Sequence, residues 1–537
     1  MEPAVAYLLL LPLFTCATVL LLLISALKLS KPKAVAAAGA LPLPPSPPAV
    51  PVVGPLLWLL RARNRLEPAI RELHRRHGPV LALRFLSPRP AVFVSGRGAT
   101  HRALVQRGPA FASRPPAIAP FRVLNSGQST VSSAPYGPLW RSLRRNLASG
   151  VLSPSRVHAF APARRWALEL LTADLGRRSK GEDGGGGVAV VESLQLAMFS
   201  LLTCMCFGQR LHAPRIKEIE AVQRELFASY IGFQVFAFCP ALTKLLFWRR
   251  WRRVLAIRRR QEELFLPLIR ARRGRDITGV ANGGEDESLA YCYVDTLLAH
   301  QLPKEEGERA LTDAEMVSLC TEFLTASVDT TVTALQWIMA NLVRQPEVQA
   351  KLLNEIAAVV PAGDGNDVVA EEDLASMPYL KAVVLEGLRR HPPAHFLLSH
   401  AAVEETWLDG HRVPAATSVN FSVADVSLDE AVWDRPEDFR PERFVNGGEG
   451  AGVDLTGSRE IKMMPFGVGR RICPGLGLAL LHLEYFVANM VREFEWGMAT
   501  GGGGDGVSLA ERPEFTVTMD RPLRARVARR RRAAVSI

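Results

Sequence analysis

Cysteine is scarce. The 537 residues contain seven, an odd number with no zinc-type spacing, which excludes a disulfide framework and a structural zinc module. Cys16, Cys204, Cys206, Cys239, Cys292 and Cys320 sit in mostly apolar stretches and read as small buried hydrophobes. No glycine-rich loop ends in Gly-Lys-Ser/Thr and no His-Glu-x-x-His occurs, so phosphate-loop and zincin chemistry are excluded. Gly501, Gly503 and Gly506 spell G-x-G-x-x-G, but Pro513 comes next and no helix pattern does, so that match is chance. Between about Gly54 and Arg521 there is neither a repeat nor a second Pro- or Ser-rich linker, which favours one large domain over the three or four that length alone gives. With 48% apolar and 22% charged residues, collagen-like and wholly disordered chains are excluded as well.

Charge is the first feature present. The formal excess is +12, and seven arginines lie between Arg521 and Arg532, so much of it belongs to a basic tail, 522–537, and not to the whole body. Residues 4–27 carry no charge and are succeeded by Lys28, Lys31 and Lys33. That length spans a bilayer, and the flanking lysines place the rest of the chain on the cytosolic side, with 4–27 as a signal anchor. A basic, Pro-rich hinge occupies 28–54, stiff because successive prolines fix φ. The body, 55–521, is mainly α. Thr312 with Glu315 resembles a capping box, and helical spacing from Met316 to Val343 predicts a helix crossing the domain. Short strand patterns fall at 80–85, 91–95 and 516–519. Gly-rich patches at 184–187, 283–284, 447–452 and 501–504 read as surface insertions.

One loop concentrates chemistry: Pro465-Phe466-Gly467-Val468-Gly469-Arg470-Arg471-Ile472-Cys473-Pro474-Gly475, before an apolar helix-forming run, 476–494. Pro474 suits a first helical turn, which places Cys473 at a helix N-terminus where free N–H groups favour a thiolate. Phe466, Gly469, Arg471, Cys473 and Gly475 match all five fixed positions of F-x-x-G-x-R-x-C-x-G, and the sequence closely resembles the cytochrome P-450 superfamily. The resemblance implies a large helical domain with small β-sheets behind an N-terminal transmembrane helix. It implies heme b, iron protoporphyrin IX, with Cys473 as axial ligand, Arg471 at a propionate and Phe466 near the thiolate side. Thiolate ligation favours O–O cleavage.

Further motifs keep the family's order. Trp140 and Arg144 resemble its W-x-x-x-R propionate clamp. Asp329 and Thr330 resemble the oxygen-activation pair, the acid relaying protons and the hydroxyl ordering water near dioxygen. Ser327 stands where the family usually has Gly. Glu386 and Arg389 form E-x-x-R, and with Arg443 of Pro441-Glu442-Arg443-Phe444 the resemblance implies a buried ion network bracing the heme-side loop. The segments around Asp329 and before the heme loop are most similar to family 89 of the plant microsomal A-type enzymes, with family 77 a near relative. Leu428-Asp429-Glu430 departs from the usual Arg-Asp-Pro, with a local consequence expected.

The expected function is a monooxygenase of the endoplasmic reticulum membrane, single-pass with a cytosolic catalytic domain. It takes O2 and a lipophilic small molecule, hydroxylating or epoxidising it with electrons from an NADPH-cytochrome reductase. A heme-thiolate isomerase or dehydratase, or a non-enzymatic membrane heme sensor, are the alternatives. By family alignment the pocket draws on 117–131, the long helix before Asp329, 395–398 and 515–517, where His395 is the one titratable side chain and reads first as a loop histidine. Arg141, Arg145 and Arg470 form a candidate docking patch for the electron donor. The stretch 247–253 with Arg258-Arg259-Arg260 reads first as a solvated helix face, next as a second contact with membrane lipid, and last as a nucleic-acid site.

Overall fold

The computed structural model describes residues 42–46, 66–83, 90–180, 187–237, 239–274, 289, 291–361, 368–499 and 506–530. The anchor at 4–27 and most of the hinge lie outside these residues. Eight helices position the site, in chain order: α1 (Ala119–Leu124), α2 (Pro138–Gly150), α3 (Val190–Phe207), α4 (Ala213–Phe233), α5 (Trp248–Arg273), α6 (Asp313–Arg344), α7 (Pro378–Arg390) and α8 (Leu476–Glu493). The expected crossing helix is α6, and its capping box is formed: Thr312 accepts from the Glu315 N–H and Glu315 accepts from the Thr312 N–H. Burial acts to raise the Glu315 carboxyl, but hydrogen bonds from Arg309 and Thr312 hold it at about 2.

Around α6 pack α3, α5, α7 and α8, joined in one continuous apolar core. Among the described residues α3 alone is long and apolar enough to cross a membrane, yet most of its side chains are buried against its neighbours. It is a core helix.

The strands are short: β1 (Val80–Leu83), β2 (Ala91–Val94), β3 (Val188–Ala189), β4 (His400–Ala401), β5 (Thr406–Leu408), β6 (His411–Val413), β7 (Ser418–Phe421), β8 (Phe494–Met498), β9 (Glu511–Pro513), β10 (Val517–Met519) and β11 (Arg524–Arg529). One sheet runs β1-β2-β7-β4 over a second, smaller core. A three-stranded sheet runs β3-β11-β8, and β5–β6 and β9–β10 are hairpins.

Four expectations need correction, the simplest being Cys239, which is exposed and not a buried hydrophobe. Arg524–Arg529, assigned to a basic tail, is the central strand β11, paired with β8 from Ala525↔Met498 to Arg529↔Phe494 and with β3. Its alternation explains this: Ala525 and Val527 point inward while arginines point out. The 447–452 glycines are not a free insertion, since a Cβ at Gly448 would lie 2.3 Å from the Arg443 carbonyl oxygen. Within Arg258-Arg259-Arg260, Arg258 turns inward to the Leu124 and Ala314 carbonyls and the Ser318 hydroxyl.

α7 crosses α6 closely because Gly387 lets it: a Cβ there would lie 2.4 Å from Ile338 Cγ1. Gly387→Ala should therefore cost about 1–3 kcal/mol by overpacking. The double variant with Ile338→Ala should lose less in denaturant unfolding than the sum of the two single losses. Strict additivity would contradict the contact.

Candidate functional site

The loop before α8 is closed by the Cys473 N–H donating to the Phe466 carbonyl at 2.8 Å. Gly469 is required at its tip. Its φ is +72°, and a Cβ would sit 2.0 Å from the Leu104 carbonyl oxygen. α8 begins at Leu476 with Gly475 as N-cap, so Pro474 is not in the helix and Cys473 lies two residues before the cap. Burial raises the Cys473 thiol, opposed by the Gly475 N–H and by Arg144. The expected activation by the loop alone is thus outweighed by desolvation, and a metal ion at the sulfur would supply the missing charge.

Arg144, on α2, and Arg471, in the loop, approach the sulfur's side of the core together with two residues that sequence reasoning missed. Arg471 donates to the carbonyls of Ala112, Val131 and Ala134 and lies 4.4 Å over the Trp140 ring. Arg114 donates to the carbonyls of Ser132, Leu398 and Ser399. His400, on β4, bonds the Phe111 carbonyl through Nδ1 at 2.7 Å. Burial, then the charges of Arg114 and Arg144, lowers Arg471 to about 9; burial lowers Arg114 to about 10 and, with Arg114 beside it, His400 to about 3. Glu322 is the acid that answers this cluster, and it is already engaged by the Val131 and Ser132 N–H groups. The Trp140 Nε1–H is buried without a partner. Three packed guanidiniums, an orphaned indole donor and a cysteine suit a metal-bearing group with two carboxylates. Arg114 and His400 carried no motif of their own; their signal was being polar side chains in otherwise mostly apolar stretches.

On α6, Ala326 is exposed midway along a largely buried helix, which opens the helix to a cleft. Thr330 and Ser327 each donate to the carbonyl four residues earlier, Ala326 and Phe323, at 2.7 and 2.6 Å. Asp329 accepts from the Thr516 hydroxyl, in the turn between β9 and β10. Burial raises its carboxyl, against the Thr516 bond. Asp329 also lines a narrow cavity with Gln195, Gln223 and Arg224. Phe227 and Tyr230 of α4 pack on Phe515, with ring centroids 5.2 and 4.9 Å apart, and Phe121 of α1 packs on Tyr230 at 4.6 Å. The α4 rings escaped sequence reasoning, although they are three residues apart on one face.

The ion network forms as expected. Glu386 takes two bonds from Arg389, at 2.7 and 2.8 Å, and one from Arg443 at 3.3 Å, with all three side chains fully buried. The Arg440 N–H also donates to it at 2.7 Å, tying α7 to the segment before the loop. Asp429 meets Arg97 at 3.5 Å on the surface. His395 is tied to Glu511 at 2.9 Å and Phe396 packs on Phe93, so neither serves as a free pocket group. Arg141 and Arg470 both lie over the Tyr136 ring, at 5.3 and 5.8 Å from its centroid, and Arg145 is exposed on α2.

With this geometry in hand, comparison with known proteins is decisive. The Cytochrome P450 family model matches residues 44–506, and the chain belongs to the cytochrome P450 family. Cytochrome P450 89A9 of Arabidopsis thaliana is 44% identical over 498 residues, covering 91% of this chain and 94% of the relative. Indolin-2-one monooxygenase of Zea mays is 31% identical, covering 90% and 88%. A zebrafish cytochrome P450 structure with progesterone shares the fold, with TM-score 0.68 at 22% identity, covering 86% of this chain and 99% of that one. The protein is accordingly a heme-thiolate monooxygenase, an oxidoreductase that takes O2, a substrate and electrons from a redox partner.

Replacing Glu386 by Gln leaves Arg389 and Arg443 buried against a neutral partner. A loss of about 3–5 kcal/mol is expected in unfolding, enough to abolish recovery of folded protein. Wild-type stability would show that the network is not holding α7.

Proposed function

We propose that Cys473 is the axial ligand of heme b and that Trp140, Arg144 and Arg471, joined by Arg114 and His400, hold its two propionates. Phe466 and Gly475 shape the thiolate side, Gly469 lets the loop turn, and the Glu386–Arg389–Arg443 network braces it. The observation that carries this reading is the cluster of half-buried guanidiniums beside Cys473, short of carboxylates of its own. The bound group supplies oxygen activation. The protein's contribution is to desolvate the sulfur, fix the propionates, exclude water and manage protons. Asp329 relays protons from the cavity beside it, and the Thr330 hydroxyl, bonded back to Ala326, orders water at the oxygen site. Retention of both side chains favours monooxygenation over an isomerase, dehydratase or sensor role.

The substrate is a lipophilic small molecule, hydroxylated or epoxidised beneath the aromatic cluster of Phe121, Phe227, Tyr230 and Phe515. Electrons come from an NADPH-cytochrome reductase docking on Arg141, Arg145 and Arg470. The chain is anchored in the endoplasmic reticulum membrane by residues 4–27, with the catalytic domain cytosolic. A second lipid contact is the patch where Leu242, Leu245, Leu246 and Trp248 are exposed, with Arg249 and Arg252 stacked at 5.6 and 5.5 Å from the Trp248 ring.

Two measurements test this. The reduced, CO-bound protein should show the thiolate Soret band, and Cys473→Ser should lose it; a wild-type spectrum in the variant would overturn the ligand assignment. In vesicles carrying brominated acyl chains, Trp248 should be quenched, so that Trp248→Phe removes part of the quenching. Equal quenching in both proteins would remove the patch from the membrane.

A further inference from the structure

The turn between β9 and β10 touches two parts of the site through adjacent residues. Thr516 is 3% exposed, and its hydroxyl donates to Asp329 Oδ2. Phe515 beside it sits between Phe227 and Tyr230, with centroids at 5.2 and 4.9 Å. The turn is otherwise clamped: the Val517 N–H donates to the Pro393 carbonyl and the Val517 carbonyl accepts from Trp337 Nε1, both at 2.8 Å. The Thr516 bond is the one side-chain hydrogen bond to Asp329 among the described residues.

A carboxyl that passes protons needs one oxygen committed and the other accessible. Here a hydroxyl commits Oδ2, while the residue borders a cavity of about 20 Å³, room for one water. Facing that cavity is Gln223, 1% exposed, whose amide oxygen and nitrogen are both without partners. The charged groups acting on Asp329 are Glu514, from the turn itself, and Arg224, from α4. They oppose one another, which leaves the neutral hydroxyl as the specific anchor.

We propose that Thr516 is a positioning residue for proton delivery: its hydroxyl fixes the Asp329 carboxyl so that the other oxygen takes protons from the Gln223 side, and Phe515 links that bond to the aromatic cluster over the substrate. This rests on Asp329 being the relay. In each delivery the carboxylate gains one proton from cavity water and yields one toward the oxygen site, ending as it began. Its electron supply is the redox partner's. Because substrate must occupy space under the rings, movement of Phe515 adjusts the bond made by the next residue.

The test uses the full-length holoenzyme with its reductase, comparing wild type, Thr516→Val, Thr516→Ser, Phe515→Ala and Asp329→Asn, each first shown to keep the CO-bound thiolate spectrum. Should the valine variant yield no holoenzyme, Thr516→Ala removes the same hydroxyl without added bulk. The first readout is the infrared band of the protonated Asp329 carboxyl, identified by its loss in Asp329→Asn and tracked against pH. A hydroxyl donor favours the ionised form, so the pH at which the band disappears should rise in Thr516→Val, stay near wild type in Thr516→Ser, and rise part-way in Phe515→Ala. The second readout is peroxide released per NADPH consumed and its dependence on D2O. Thr516→Val should raise peroxide release and strengthen the D2O effect, with proton-dependent turnover falling about tenfold, the factor for losing one bond to a charged group. A wild-type band position in Thr516→Val overturns the inference whatever Asp329→Asn does. A wild-type position in Phe515→Ala overturns the link to the rings. If Asp329→Asn itself releases no extra peroxide, the relay reading fails while the hydrogen bond stands, so the two failures are separable.

Discussion

Like charges packed together and withdrawn from water set the terms for this molecule. Arg114 and Arg144 both lower Arg471, while desolvation lowers all three, and protein carbonyls answer Arg114 and Arg471 with dipoles, with Glu322 the one carboxylate acting on that pair. Such a cluster is costly unless a dianion joins it. In the proposed assignment the heme's two carboxylates would meet that need. The same logic explains the cysteine. Burial works against its ionisation, and iron, not the surrounding loop, stabilises a buried thiolate.

The scaffold's task is to hold this unfavourable arrangement still. α6 runs through the core from a double N-terminal cap, and α7 presses against it where Gly387 removes a side chain. The buried Glu386 carboxylate then gathers Arg389, Arg443 and the Arg440 N–H, joining α7 to the chain entering the heme-side loop. Rigidity on this side contrasts with the other, where aromatic side chains from α1, α4 and the β9–β10 turn meet without polar ties between them. Rings in contact can shift without breaking a hydrogen bond, whereas the sulfur side is held by ion pairs and carbonyls.

How far this was legible in the sequence depended on locality. Cys473, Arg471 and Gly469 stand within five residues, and the α6 capping box within four, so spacing alone exposed them. Glu386 and Arg443 needed a family resemblance to be joined, because 57 positions separate two side chains whose atoms are 3.3 Å apart. Arg114, His400 and the Thr516–Asp329 bond arise from loops brought together by tertiary packing, and no periodicity encodes them. β11 was mistaken for a tail because its outward arginines dominated the composition, while the alternating Ala525 and Val527 that bind it to the sheet are only two residues. Thiolate ligation stands, but the reason first given for it does not: a helix N-terminus was credited, whereas α8 starts after Gly475 and desolvation is the larger effect.

The central claim is that packed, half-buried guanidiniums select a dianionic prosthetic group. Protein produced without heme should be reconstituted in parallel with heme b and with its dimethyl ester, which keeps iron and porphyrin but carries no carboxylate charge. The account predicts recovery of the thiolate-type CO complex and a raised unfolding temperature with the free acid, and poor recovery with the ester. Equal recovery and equal stabilisation by both would contradict it.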